Sequence, residues 1–252
     1  MNKFSEYIIY KDVDIYFIDL LYDHNEIDLL KNISKLNKKY RKIIRKKLED
    51  YYDIFDYKDI ISKRADKYDL FYKSIRIGKL NVSKYIYKIN IKPKIDLHTD
   101  HELAFRLGCK YGHLEIAKWI WNISNKTIDL HRDNYCIFQI TCQHGHTEIA
   151  KWLIDISGNT INIYADDNLA FRWSCENGQI ETAKWLHSLD VNINALDNYA
   201  FKWSCRNGHL EIVKWLFSIS KISIIKFFLD PANYDYIFSN SPWNILQFLK
   251  QI

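Results

Sequence analysis

Residues 197–220 read DNYAFKWSCRNGHLEIVKWLFSIS, and this stretch decides the fold. Phe201, Ser204 and Cys205 fall at i, i+3 and i+4, one side of a short helix. Asn207-Gly208 ends that helix, because glycine enters the left-handed conformation after a last helical turn without steric cost. Leu210, Ile212, Val213, Trp215 and Leu216 then supply the apolar face of a second helix. Glu211 near its start and Lys214 further on suit the helix dipole. The stretch is a helix–turn–helix hairpin.

The same grammar runs outward in both directions. Phe71, Phe105, Phe138, Phe171 and Phe201 are each followed, fourteen positions later, by an aromatic residue that comes after a lysine: Tyr85, Trp119, Trp152, Trp185 and Trp215. Each pair encloses a glycine seven residues before the second aromatic: Gly78, Gly112, Gly145, Gly178 and Gly208. The gap from the second aromatic to the next phenylalanine varies instead, at 20, 19, 19 and 16 residues. A core of fixed length with an elastic connector is the behaviour of a stacked repeat, in which the packing part cannot change length and the loop can. Between hairpins stand Ile95-Asp96-Leu97, Ile128-Asp129-Leu130, Ile161-Asn162-Ile163 and Val191-Asn192-Ile193. Asp, Asn or His cluster after each, the chemistry of an extended segment entering a tight turn.

GHLEIAKW, GHTEIAKW, GQIETAKW and GHLEIVKW resemble the second-helix motif of ankyrin repeats, and the unit of about 33 residues with a finger between hairpins matches that family. The family's T-P-L-H start of the first helix is replaced here, with Tyr199-Ala200-Phe201-Lys202 in its place. With FRWSCENG and FKWSCRNG, the variant resembles the ankyrin-repeat families of giant DNA viruses of the mimivirus type. The resemblance covers about residues 60–252 and implies an all-α repeat solenoid of two helices plus a β-turn finger per unit. The expected organisation is a helical N-terminal segment over residues 1–58, five repeats over 59–220, and a degenerate C-terminal capping repeat over 221–252. In that last part Phe238 and Phe248 are candidate paired aromatics, only ten residues apart with no glycine between them, and Ser241-Pro242 stands at the turn.

Composition narrows the function. An aromatic content of 15% and only 7 Gly and 3 Pro in 252 residues argue against disorder and flexible linkers. A net charge of +5 does not by itself imply nucleic acid. Cys109, Cys142, Cys175 and Cys205 recur three residues before the repeat glycines, and stacked units about 10 Å apart hold them too far from one another for disulfides. They read as small, buried, reduced side chains. The first residues are interrupted by Lys11, Asp12 and Asp14, and no stretch approaches the length of a membrane span. The expectation is an intracellular protein of the host cytoplasm or nucleus, neither secreted nor membrane-spanning.

Several motifs compete for function. The segment 38–47, KKYRKIIRKK, has seven basic residues in ten. It suits nucleic acid or an acidic membrane, but with Glu49, Asp50, Asp53 and Asp56 downstream it reads first as the wet face of a helix whose dry face is Tyr40, Ile43, Ile44 and Leu48. Cys142, His144 and His146 have a spacing that could hold zinc, but Cys142 and His146 fill ordinary repeat slots and a fourth ligand is not evident. Trp119, Trp152, Trp185 and Trp215 could stack bases. Their slot lies on the apolar side of the second helix, so they read as core, as do Trp173 and Trp203. No phosphate loop, nucleophile elbow or paired carboxylates stand out, so neither a cofactor nor catalysis is expected.

The resemblance implies that partners are gripped by the finger tips and by the residues before each turn glycine. In this sequence the latter are Lys110 and Tyr111, Gln143 and His144, Glu176 and Asn177, Arg206 and Asn207, with finger residues 98–101, 132–134, 165–167 and 195–197. These slots change chemistry from unit to unit while the packing slots do not. The expected function is a non-catalytic scaffold or adaptor, a monomer that binds an unidentified protein partner, host proteins included. The alternative is nucleic-acid binding through residues 38–47. A third is an enzyme whose site lies within residues 1–58.

Overall fold

The computed structural model describes residues 67–88 and 95–251, and these form twelve helices with no strand among them. Residues 1–58, with their basic 38–47 segment, lie outside the described residues. The chain divides into two compact units, one ending at Ile95 and one holding residues 96–252 with the short segment Ile75–Gly78. In the first, α1 (Lys67–Arg76) and α2 (Leu80–Lys88) form a hairpin. Phe71 is fully buried there, 6.2 Å from the Tyr87 ring, and the hydroxyls of Ser74 and Ser83 hydrogen-bond at 2.8 Å.

The second unit is a run of five hairpins. They are α3 (Thr99–Lys110) with α4 (Leu114–Ile123), α5 (Arg132–Gln143) with α6 (Thr147–Ile156), α7 (Ala165–Glu176) with α8 (Ile180–His187), α9 (Ala195–Arg206) with α10 (Leu210–Phe228), and α11 (Pro231–Asn240) with α12 (Trp243–Leu249). First helices pack on first helices along the stack, α3 on α5, α5 on α7, α7 on α9 and α9 on α11. Phe105, Phe138, Phe171 and Phe201 are all but inaccessible at the centre of these layers. Second helices contribute Ile116, Ala117 and Ile120, or the equivalent triplets Ile149, Ala150, Leu153 and Ile212, Val213, Leu216. Burying each Ile, Leu or Val side chain among these contributes about 1.5–3 kcal/mol.

Each turn between the helices is closed in one way. Gly112, Gly145, Gly178 and Gly208 have φ of 78, 78, 79 and 76°. The next amide donates to the carbonyl five residues back: His113 to Gly108, His146 to Thr141, Gln179 to Ser174 and His209 to Ser204, at 2.8–3.1 Å. That is the Schellman arrangement, which satisfies carbonyls the helix end leaves unpaired. The residue after the glycine then ties hairpin to hairpin. His146 Nε2 donates to the Lys110 carbonyl and His209 Nε2 to the Glu176 carbonyl, both at 2.9 Å.

The connectors keep the turn of the expected finger and add an unexpected entry to the helix. Their turns are present, since His98, His131, Tyr164 and Asn194 each donate a backbone N–H to the carboxylate or amide oxygen two residues earlier, Asp96, Asp129, Asn162 and Asn192, at 2.9–3.0 Å. No paired strand accompanies them among the described residues. The chain instead enters the first helix through three left-handed residues: Asp100, His101 and Glu102; Asp166, Asp167 and Asn168; Leu196, Asp197 and Asn198. Such a conformation costs about 1–2 kcal/mol per residue, least for Asp and Asn, which explains the acidic and amide residues at these places. The third residue turns inward and is held. The Asn168 side chain accepts from the Asn192 amide at 3.2 Å, and Asn198 accepts from the Ser223 hydroxyl at 3.0 Å.

The tryptophans of the second helices are half-buried rather than core. Three of them lie across the boundary between hairpins, Trp152 6.0 Å from Phe105, Trp185 6.3 Å from Phe138 and Trp215 6.3 Å from Phe171. An indole is too large for a slot whose inward positions already hold Ile, Ala and Leu, so it covers the phenylalanine behind from the edge.

The final hairpin has a different register from the Phe238–Phe248 pairing. α11 and α12 meet at Ser241-Pro242. Counting seven residues each way from Ser241 gives Tyr234 and Phe248, the spacing of every unit before it, and Tyr234 follows Trp215 by 19 residues. Pro242 fills the place of His209: a Cβ on Gly208 would stand 3.1 Å from Pro242, as one on Gly178 would stand 2.8 Å from His209. The preceding connector is helical, with α10 continuing past an irregular Ser220 to Phe228.

Candidate functional site

The residues before the turn glycines come at the C-terminal ends of α3, α5, α7 and α9, at equivalent places. Repeat geometry alone puts them there, since each is fixed relative to a glycine that sets the helix end. Tyr111, Asn177, Arg206 and Asn207 are exposed, and Lys110, Gln143, His144 and Glu176 are half-buried.

Several are tied to backbone carbonyls, and one of these bonds joins two hairpins. His144 Nδ1 donates to the Ile140 carbonyl at 2.9 Å and Asn177 Nδ2 to the Trp173 carbonyl at 2.9 Å. Asn207 Nδ2 reaches the Glu176 carbonyl of the neighbouring hairpin at 2.7 Å. Lys110 Nζ lies 5.7 Å from the Tyr111 ring. Burial holds His146 below the usual histidine range against the pull of its bond to the Lys110 carbonyl, and His144 and His113 push the same way.

Glu176 and Arg206 belong to a larger cluster that single-slot reading does not assemble. Tyr199 donates its hydroxyl to Glu176 Oε2 at 2.9 Å, and the Arg172 guanidinium lies 4.6 Å from the Tyr199 ring. Burial, then Glu176, push the Tyr199 phenol up to about 12, so it stays a donor at neutral pH. Tyr199 is 5.6 Å from Trp203, over which the Arg206 guanidinium sits at 4.6 Å. Arg206 also donates to the Tyr236 hydroxyl at 3.2 Å, and Lys202 Nζ lies 4.1 Å from the Tyr236 ring. Arg172, Tyr199, Lys202, Trp203 and Tyr236 are the residues missed from sequence. The one available signal was the cation beside each tryptophan in FRW and FKW. Trp203 is half-buried beneath Arg206 instead of in the core.

Finger residues are engaged unevenly. His98 Nδ1 pairs with Glu102 at 3.0 Å, and its Nε2 lies 3.2 Å from the Thr127 hydroxyl. Tyr164 donates to the Leu189 carbonyl at 3.1 Å, whereas Leu196 is 55% exposed. The zinc spacing is not assembled. Cys142 is fully buried, with its thiol pushed far up by burial, while His144 and His146 are turned to backbone carbonyls. Among the described residues no group of three His, Cys, Asp or Glu side chains is arranged to hold a metal, and no helix is long and apolar enough to cross a membrane.

A family model described as ankyrin repeats (3 copies) matches residues 105–197 and, in an overlapping placement, residues 138–227. None of the curated proteins compared with the chain matches it.

Proposed function

We propose, from the fact that residues 105–227 are ankyrin repeats, that this chain is a non-catalytic scaffold or adaptor that grips a protein partner along its first-helix side. That side is the concave one in the family the repeats resemble. One observation carries the reading: the two sides of the stack vary differently. On the second helices the same ion pair recurs in four successive units, Glu115–Lys118, Glu148–Lys151, Glu181–Lys184 and Glu211–Lys214. On the first helices the residue two before each turn glycine runs Lys110, Gln143, Glu176, Arg206. A surface whose spacing is rigid and whose chemistry changes stepwise can discriminate among partners. The likeness of FRWSCENG and FKWSCRNG to giant-virus repeats extends the proposal to an adaptor acting in the cytoplasm or nucleus of an infected host cell.

The test is proximity labelling in host cells, followed by binding of the purified candidate to variants. Tyr111→Ala with Arg206→Ala removes two residue types common at interface hot spots. Capture is expected to be lost while the melting temperature moves by about a degree or two, since exposed substitutions cost about 0.5 kcal/mol or less each. Loss of capture through Glu181→Ala with Lys184→Ala, on the second-helix side, with the first pair silent, overturns the reading.

A further inference from the structure

Cations on the two sides of the stack keep different company. The second-helix lysines at positions 118, 151, 184 and 214 each have a carboxylate within 2.8–3.9 Å. Lys202 and Arg206, on α9, have none within 4.0 Å among the described residues. Their neighbours are rings: Tyr236 under Lys202 and Trp203 under Arg206. The equivalents of Lys202 in two other units are differently used. Arg106 donates to the Asp100 carbonyl, and Arg172 to the Asp166 and Asp167 carbonyls, both across left-handed turns. Lys202 makes no such bond. Glu176, on the neighbouring first helix, accepts the Tyr199 hydroxyl.

A ring face attracts a cation without neutralising it, so the positive charge stays and is fixed in place. Side chains already held by packing lose less freedom when they bind. Arg206 offers a planar fork suited to a carboxylate, and the half-buried Trp203 and Tyr236 offer apolar surface beside it. We infer that the Lys202–Trp203–Arg206–Tyr236 cluster is the docking point for an acidic peptide segment of a partner protein, in which carboxylates flank an aromatic or aliphatic side chain. The inference rests on the first-helix side being the binding face. A phosphate strand fits less well, because it needs a continuing row of cations, whereas the row leading to Arg206 holds Gln143 and Glu176.

The experiment uses the full chain and short labelled peptides with a central tryptophan flanked by glutamates, by glutamines or by lysines. An oligothymidylate strand is the nucleic-acid competitor. Fluorescence anisotropy gives affinity, and hydrogen exchange reports which helices the peptide protects. The acidic peptide is expected to bind at least about tenfold more tightly than the glutamine peptide, and to weaken as salt rises from about 50 to about 200 mM. Lys202→Gln with Arg206→Gln should lose about tenfold or more at an unchanged melting temperature, and Lys184→Gln with Lys214→Gln less than about twofold. Should the double variant melt early, Arg206→Lys alone, which keeps the charge and loses the fork, is the arbiter and should weaken binding by a smaller factor. No binding of the acidic peptide up to about 1 mM, equal binding of the glutamine peptide, or stronger binding of the oligonucleotide overturns the inference. Protection of first helices by the glutamine or lysine peptide overturns it but leaves the first-helix side as a binding face. Protection confined to second helices overturns both.

Discussion

Two hairpins of the same stack, α7 with α8 and α11 with α12, share a frame and almost none of its residues. Phe171, Gly178 and Trp185 stand seven residues apart in the one, and Tyr234, Ser241 and Phe248 in the other. Phe171 is 0% exposed and Tyr234 is 47% exposed. Gly178 is left-handed at φ 79°, whereas Ser241 is extended at φ −96°. The middle hairpin carries another on each side, and the final one has no following hairpin among the described residues. The difference separates two demands on a repeat. Spacing belongs to the hairpin itself and survives. Residue identity belongs to what encloses each position, and it relaxes where the position is open to solvent, as at Tyr234.

The largest effect should therefore distinguish the two aromatic slots. Phe171→Ala empties a fully enclosed site and is expected to cost about 3–5 kcal/mol in urea unfolding. Tyr234, stacked on Phe238 at a centroid distance of 4.2 Å but open to solvent, is expected to cost about 1 kcal/mol or less as alanine. Equal losses would break the assignment of Tyr234 to the phenylalanine slot.

The turn slot should give the next largest contrast. Gly178→Ala forces an L side chain into left-handed backbone and sets its Cβ 2.8 Å from His209 Nδ1. Strain of about 1–2 kcal/mol follows from the conformation alone, and the imidazole must also move. Ser241→Ala meets neither obstacle and should stay within about 0.5 kcal/mol of the parent. A Gly178→Ala protein as stable as the parent would mean that the stack tolerates another turn at that point.

Much of this frame was legible beforehand because helix periodicity, turn glycines and connector carboxylates are local signals, each set within a few residues. What was illegible joined distant residues or swapped one solution for another. The final hairpin hid because Tyr, Ser and Phe replace Phe, Gly and Trp, so a search for the original letters passes over it. The left-handed entry to the first helices hid because Asp and Asn serve a β-turn and a left-handed turn equally well. Tryptophan misled by hydrophobicity: Trp203 looks like core until Arg206 is seen above it. The cluster of Arg172, Tyr199, Arg206 and Tyr236 draws on three first helices, and no sequence window contains it. Of the eight residues expected to meet a partner, Asn177 and Asn207 are tied to backbone carbonyls and Glu176 to Tyr199.

The smallest expected effect concerns the slot after the turn glycine, where the hairpins carry His146, Gln179, His209 and Pro242. Burial lowers the proton affinity of His146 in the folded chain. An unfolded histidine titrates near about 6.5, so between that value and the lower folded one the unfolded chain binds the extra proton. The stability that depends on neutral His146 is therefore complete above about pH 6.5, declines as pH falls through the folded value, and is constant below it. Gln179 shows that the fold accepts an amide in this slot, a group that does not titrate. His146→Gln should melt close to the parent at about pH 7.5 and lose less stability on acidification to about pH 5. The reciprocal Gln179→His adds an imidazole at the equivalent half-buried slot, and the decline steepens if that imidazole is desolvated as His146 is. Should both variants follow the parent's pH profile, the acid sensitivity of the stack lies elsewhere, and the histidine-to-carbonyl bond is a geometric tie indifferent to protonation.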